Sequence, residues 1–177
     1  YSGGICLIQG TFYFLDEVTG EPLLMMGKGP RGINEYTGTG FLVRADGLIL
    51  TNRHIAEPWW EMEMSPYIHI EPTIKPRFEV FRAFFPGIKE PFALKVEKIS
   101  DDVDVALLRI DVRGATMPVL ELDITGKGTV VGEPIILLGY PAGVNAIFAK
   151  TDPGVVKQLF NLPFIPLVQE LSNWGLI

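Results

Sequence analysis

The chain has one cysteine, Cys6, and two histidines, His54 and His69, in 177 residues. A single thiol cannot form an intramolecular disulfide, so the fold must be held without covalent cross-links. Two separated histidines and one cysteine offer no ligand spacing for a metal, and no cofactor is expected. Basic residues are also in deficit. Against 21 Asp and Glu stand 15 Lys and Arg, for a formal charge of −6 and a pI near 4.9. That balance argues against a nucleic-acid partner, which needs a basic face for the phosphates. No apolar run reaches the roughly 18–20 residues that span a bilayer, so no membrane span is expected. A chain that begins at Tyr1 reads as a processed or excised segment, whose leader or anchor would not be visible.

Hydrophobic residues make up 47% of the chain and charged ones 20%, a composition that forms a core rather than staying disordered. Its 19 glycines and 14 prolines cut the sequence into short pieces. Between them lie runs rich in β-branched and aromatic residues at 5–15, 39–44, 48–51, 78–85, 92–99 and 103–110. The pair Asp46-Gly47 supplies the positive φ of a tight hairpin between the second and third. Six such runs predict an all-β fold with a six-stranded antiparallel barrel, which removes its sheet edges by closing.

Residues 111–118 read as a linker. Beyond it, 119–122, 134–138 and 144–150 are predicted strands, too few to close a second barrel. Asp152 and Pro153 start a predicted helix through 160, and a second is expected over 167–174 before Gly175. The division is therefore 1–113 for the first barrel and 114–177 for an incomplete second barrel carrying a helical insertion. Such a barrel leaves apolar strands uncovered, so the segment is expected to self-associate or to pack its helical tail over the gap.

The chemistry centres on His54, in Leu50-Thr-Asn-Arg-His-Ile-Ala56, and Asp104, which heads Asp104-Val-Ala-Leu-Leu-Arg-Ile110. A histidine just past a strand end suits a general base, because its pKa lies near neutrality. A partly buried aspartate at the head of an apolar strand needs a donor, and an imidazole N–H supplies one. Taken singly, each also has a structural reading, as a satisfied strand-end histidine and as a cap or turn aspartate.

Their surroundings resemble the HtrA-like branch of the trypsin-like, chymotrypsin-fold serine proteases. Thr37-Gly-Thr-Gly-Phe-Leu-Val-Arg-Ala-Asp-Gly-Leu-Ile-Leu-Thr-Asn-Arg-His-Ile-Ala56 is similar to that family's histidine segment. Asp104-Val-Ala-Leu-Leu resembles its acid motif, and Val131-Gly-Glu-Pro-Ile-Ile-Leu-Leu-Gly-Tyr-Pro-Ala-Gly143 the opening of its second barrel. The resemblance implies His54 as base, Asp104 as orienting acid, a polypeptide substrate and a location outside the cytoplasm. It reads Asp101 and Asp102 as solvated loop charges.

The departures are equally specific. No Gly-x-Ser-Gly-Gly occurs in the 177 residues. Ser2-Gly-Gly4 imitates a fragment of that motif but falls, by the resemblance, on the first barrel's opening strand. Ser65, Ser100 and Ser172 lack flanking glycines for an oxyanion hole. Cys6 sits in an apolar strand and reads as core. An extended stretch over 57–75 carries Trp59, Trp60 and His69, with His69 read as a surface residue; the stretch either packs over the barrel or presents a loop to a partner. The expected function is the N-terminal part of a serine endopeptidase whose nucleophile lies beyond residue 177, leaving this segment inactive alone. The alternative is a non-catalytic binding module on the same scaffold.

Overall fold

A computed structural model describes residues 2–24, 27–63, 65, 69–128 and 130–140. The expected strand at 144–150 and the expected helices within 152–174 lie outside the described residues. The described part is all-β apart from short helical turns: β1 (Ile5–Asp16), β2 (Asn34–Arg44), β3 (Leu48–Thr51), α1 (Arg53–Ala56), α2 (Trp60–Glu63), β4 (Ile74–Phe84), β5 (Phe92–Ala93), β6 (Lys95–Ile99) and β7 (Ala106–Arg109).

The strands form one antiparallel sheet in the order β5-β4-β1-β2-β3-β7-β6. Its two outer members adjoin in the chain. β5 pairs with β4 through Ala93, and β6 pairs with β7 from Lys95 onward, with only Leu94 between them. Leu94 turns the corner, donating its N–H to Phe81 O at 3.0 Å and burying its side chain. The sheet therefore curls until one short segment serves both ends. This splits the expected run 92–99 into two strands, so the sheet has seven members where six were expected.

Inside the curl lies the core: Cys6 and Ile8 from β1, Leu42 from β2, Ile49 from β3, Ala83 from β4, Leu94, and Ala106 and Leu108 from β7. Period-two alternation places these residues on one face. The turn from β2 to β3 uses Gly47 at φ 95°, and Gly47 O accepts the Ile110 N–H at 3.0 Å. A side chain at Gly47 would run into the Ile110 carbonyl, so the Asp46-Gly47 pair suits both the turn and this close approach.

On the same face as the core, farther along β1, Trp59 packs between Phe12 and Phe78, with ring centroids at 5.6 Å and 5.1 Å. Phe78 stacks in turn on Phe81 at 4.4 Å. The start of the 57–75 stretch thus covers an aromatic face of β1 and β4. His69 is 85% exposed at the far side of the stretch, 3.7 Å from Glu71.

After β7 the expectations change. Residues 111–118 do not behave as a free linker: Met117 is buried in the core, Ala115 packs against it, and the Leu120 N–H reaches Leu42 O at 2.8 Å. The predicted strands at 119–122 and 134–138 are irregular chain. A strand requires a ladder of backbone bonds, and Leu120 makes a single one to β2, at Leu42 just past the end of the β1–β2 ladder at Ile5 and Phe41. Ile135, Ile136 and Leu137 stand largely exposed.

Candidate active site

The site is built where the end of β3 meets the loop entering β7. Thr51 closes β3 with its hydroxyl donating to Thr39 O at 2.7 Å, which ties that end of the strand to β2. One residue later Asn52 begins α1, a single helical turn carrying His54. Ile55 plugs α1 onto β2 above Gly38, where a Cβ would fall 2.6 Å from its Cδ1. The Tyr36 hydroxyl then donates to Ile55 O at 2.8 Å. These contacts fix where His54 leaves the sheet.

Asp104 lies in the tight loop between β6 and β7. Ser100 organises that loop: its hydroxyl accepts the N–H groups of Asp102 and Val103, at 3.4 Å and 3.3 Å, and its own N–H donates to Val105 O at 3.0 Å. Arg53 stitches the loop to α1 by donating from Nη1 to Ser100 O at 3.0 Å. Neither Ser100 nor Arg53 stands out in the sequence. Their partners are distant along the chain, and short motifs carry no sign of them.

The structure brings His54 and Asp104 together. Asp104 Oδ2 is 2.8 Å from His54 Nδ1, while Oδ1 accepts the His54 main-chain N–H at 3.0 Å. That N–H is one of the orphan donors at a helix start, so the carboxylate caps α1 while it holds the ring. Both structural readings of these residues are satisfied by the same contact that pairs them. The side chains are 42% and 38% exposed, open enough for the ring to meet solvent or a ligand.

Partial burial pushes the Asp104 carboxyl upward, but the His54 main-chain N–H, the His54 ring and the Asn52 amide outweigh it and hold it below the ordinary aspartate value. The group is therefore a carboxylate near neutral pH and can only accept. Nδ1 must then carry the ring proton, which leaves the Nε2 lone pair free to act as a base.

The remaining candidates separate from this pair. Ser100 is a loop organiser, and Ser2 lies exposed in a 3-10 turn ahead of β1. Ser65 follows α2, its N–H donating to Met62 O at 3.2 Å, and Ser172 lies outside the described residues. Cys6 is fully buried, and burial pushes its thiol up to about 12, so it carries no thiolate at neutral pH. Among the described residues, no group of three or more His, Cys, Asp or Glu could hold a metal ion.

Beside the pair lies a mostly apolar cleft of about 430 Å³, whose lining includes Thr39, Phe41, Leu50, Asn52, Val105 and Leu137. Its far wall is the 137–139 segment, pinned by the Tyr140 N–H donating to Thr39 Oγ1 at 2.7 Å.

Comparison with known proteins adds the family. Residues 38–174 match the family described as a trypsin-like peptidase domain. Among solved structures, the crystal structure of Deg5 is similar at 16% identity and a TM-score of 0.38, covering 67% of this chain. This chain spans 42% of the length of that one. No curated protein matches the sequence.

Proposed function

Since this chain belongs to the trypsin-like peptidase domain family, we propose that it is the part of a serine endopeptidase that carries the general base and the orienting acid. His54 takes the proton of a serine hydroxyl through Nε2, and Asp104 holds the Nδ1–H tautomer and stabilises the imidazolium that forms. The serine attacks a peptide carbonyl, the acyl-enzyme forms as the amine leaves with the proton from His54, and water then releases the acid. The serine and the oxyanion hole come from chain following residue 177, and residues 1–177 alone are inactive. Residues 114–177 begin the second barrel. In the first barrel, β5 and β6 count as one strand bent at Leu94, which gives six. The HtrA-like branch is our finer assignment, drawn from the wording of the motifs around Asp46-Gly47, Thr51-Asn-Arg-His54 and Asp104-Val-Ala-Leu-Leu108.

The observation that carries this reading is the 2.8 Å contact between His54 Nδ1 and Asp104 Oδ2, with the Asp104 carboxyl held low. A structural aspartate needs only to cap α1; nothing in that role demands a second oxygen on the ring. The test is a fluorophosphonate probe on the protein extended past residue 177. Labelling that disappears in His54→Ala is expected, and an extended protein that takes no label overturns the reading.

A further inference from the structure

Asn52 occupies the N-cap of α1 with extended backbone, φ −77° and ψ 151°, where an asparagine side chain ordinarily bonds the first free N–H groups of its own helix. It makes no such bond. Its Nδ2 reaches across to Asp104 instead, donating to the carboxylate Oδ2 and to the main-chain O, each at 3.2 Å. The helix loses nothing by this, because Asp104 Oδ1 already takes the His54 N–H. Asn52 and Asp104 have exchanged duties: the aspartate caps the helix and the cap residue holds the aspartate.

That exchange matters to the ring. With Oδ1 anchored on the His54 main chain, the carboxylate retains the swing of Oδ2 about its last torsion, which is broad for an sp²-terminated side chain. Asn52 closes that freedom on the same oxygen that faces Nδ1, and its second bond to the Asp104 carbonyl fixes the backbone from which the carboxylate hangs. An amide suits this position because it orients the oxygen without bringing a positive charge. A cation here would neutralise the carboxylate that the imidazolium needs. The neighbouring cation is kept away: Arg53 is engaged by Glu57 Oε2 at 3.0 Å, by Ser100 O at 3.0 Å and by the face of Trp60 at 4.6 Å.

We propose that Asn52 is a positioning residue that holds the Asp104 carboxylate against His54 Nδ1 and so maintains the Nδ1–H tautomer. This deepens the protease reading and rests on it for its kinetic consequence; the effect on the tautomer does not depend on catalysis. Asn52 touches neither the ring nor a reacting atom and acts through Asp104.

The experiment reads the ring nitrogens of His54 by ¹⁵N NMR in the 177-residue chain, with His69→Gln assigning the two histidines. Above the pH at which the rings are protonated, His54 is expected as the Nδ1–H tautomer. Asn52→Ala shifts the tautomer ratio about tenfold toward Nε2–H, as loss of one bond to a charged acceptor implies. Asn52→Ser keeps a good helix cap but is too short to bridge to Oδ2; it gives the same shift and covers the case in which the alanine variant does not fold. An unchanged ratio in either folded variant, or a wild-type ring already in the Nε2–H form, overturns the proposal. If the ratio shifts while the extended protein takes no fluorophosphonate label, the protease reading fails and the positioning role stands. If the label is taken and the ratio does not move, only the positioning role fails.

Discussion

Asp104 meets His54 twice, once at the main-chain N–H through Oδ1 and once at ring Nδ1 through Oδ2, at 3.0 Å and 2.8 Å. Fifty residues of chain separate the two, and the loop they close contains the whole of β4. The carboxylate thus couples local helix geometry to the ionisation of a distant group, which has a consequence for stability. Its folded pKa lies below its unfolded value of about 3.9. The stabilisation is complete above that unfolded value and is lost as the pH falls through the folded one. Because the side chain is 38% exposed, solvent screening limits the effect to at most about 1 kcal/mol. Urea midpoints of the wild type and Asp104→Asn should therefore differ at pH 7, and by less at an acidic pH well below the unfolded value of about 3.9. A gap of equal size at both pH values would contradict the assignment.

Asp104→Asn also makes a kinetic prediction for the extended protein. The amide oxygen still accepts the His54 main-chain N–H, which turns the amide NH₂ toward the ring. Nδ1 must then accept, the proton moves to Nε2, and the base faces the nucleophile with no lone pair. A fall in kcat of about 10⁴-fold is expected, with KM little changed. Steady-state kinetics on a peptide substrate reads both constants; a loss confined to KM would place Asp104 in binding instead.

Gly38 sets the seat of α1. A Cβ there would stand 2.6, 2.8 and 2.9 Å from the Cδ1, Cγ1 and Cγ2 atoms of Ile55. Ile55 cannot retreat easily, because it is buried and its carbonyl is held by the Tyr36 hydroxyl. Gly38→Ala should cost about 1–3 kcal/mol by overpacking. It should also disturb the neighbouring His54 ring signals. Pairing it with Ile55→Val, which removes one of the clashing carbons, should recover part of the loss in a double-mutant cycle.

How much of this was legible follows from which interactions are local. The Asp46-Gly47 turn and β3 at Leu48–Thr51 were readable, because turn chemistry and period-two alternation act within a few residues. The corner at Leu94 was not. A run of uniform strand character pairs first with β4 and then with β7, and only the partners reveal the break. Strand character at 119–122 and 134–138 was real but insufficient, since propensity cannot supply a ladder partner. His54 and Asp104 were visible through their motifs. Asn52 stands inside the same motif with nothing local to mark it, because its bond spans 52 residues and contradicts the cap role its position suggests.

Trp59 tests whether the 57–75 stretch is packing. Its ring lies against Phe12 and Phe78, whereas Trp60 faces the Arg53 guanidinium. Trp59→Ala should cost about 3 kcal/mol, the low end for truncating a large aromatic, because the residue is only half-buried. Trp60→Ala removes a cation–π contact and should cost about 0.5–1 kcal/mol. Thermal unfolding of the two variants should show this inequality, and equal losses would mean that the stretch is held as strongly through Arg53 as through the aromatic face.

Cys6 provides a probe of the core itself. It is fully buried, out of reach of solvent and reagent, and its thiol is pushed up to about 12 by burial. Only the thiolate alkylates at a useful rate, so iodoacetamide at pH 8 should leave the native chain unmodified over hours. Adding urea past the unfolding midpoint should release a thiol of ordinary pKa, roughly 8.5, that reacts at once. Between those limits the modification rate should follow the population of opened molecules, and therefore the same free energy as equilibrium unfolding. A mass shift on the native protein within minutes would mean that the β1 end of the curled sheet opens far more readily than the rest of the core. In that case Asp104→Asn, which acts at the α1 side, should leave that rate unchanged.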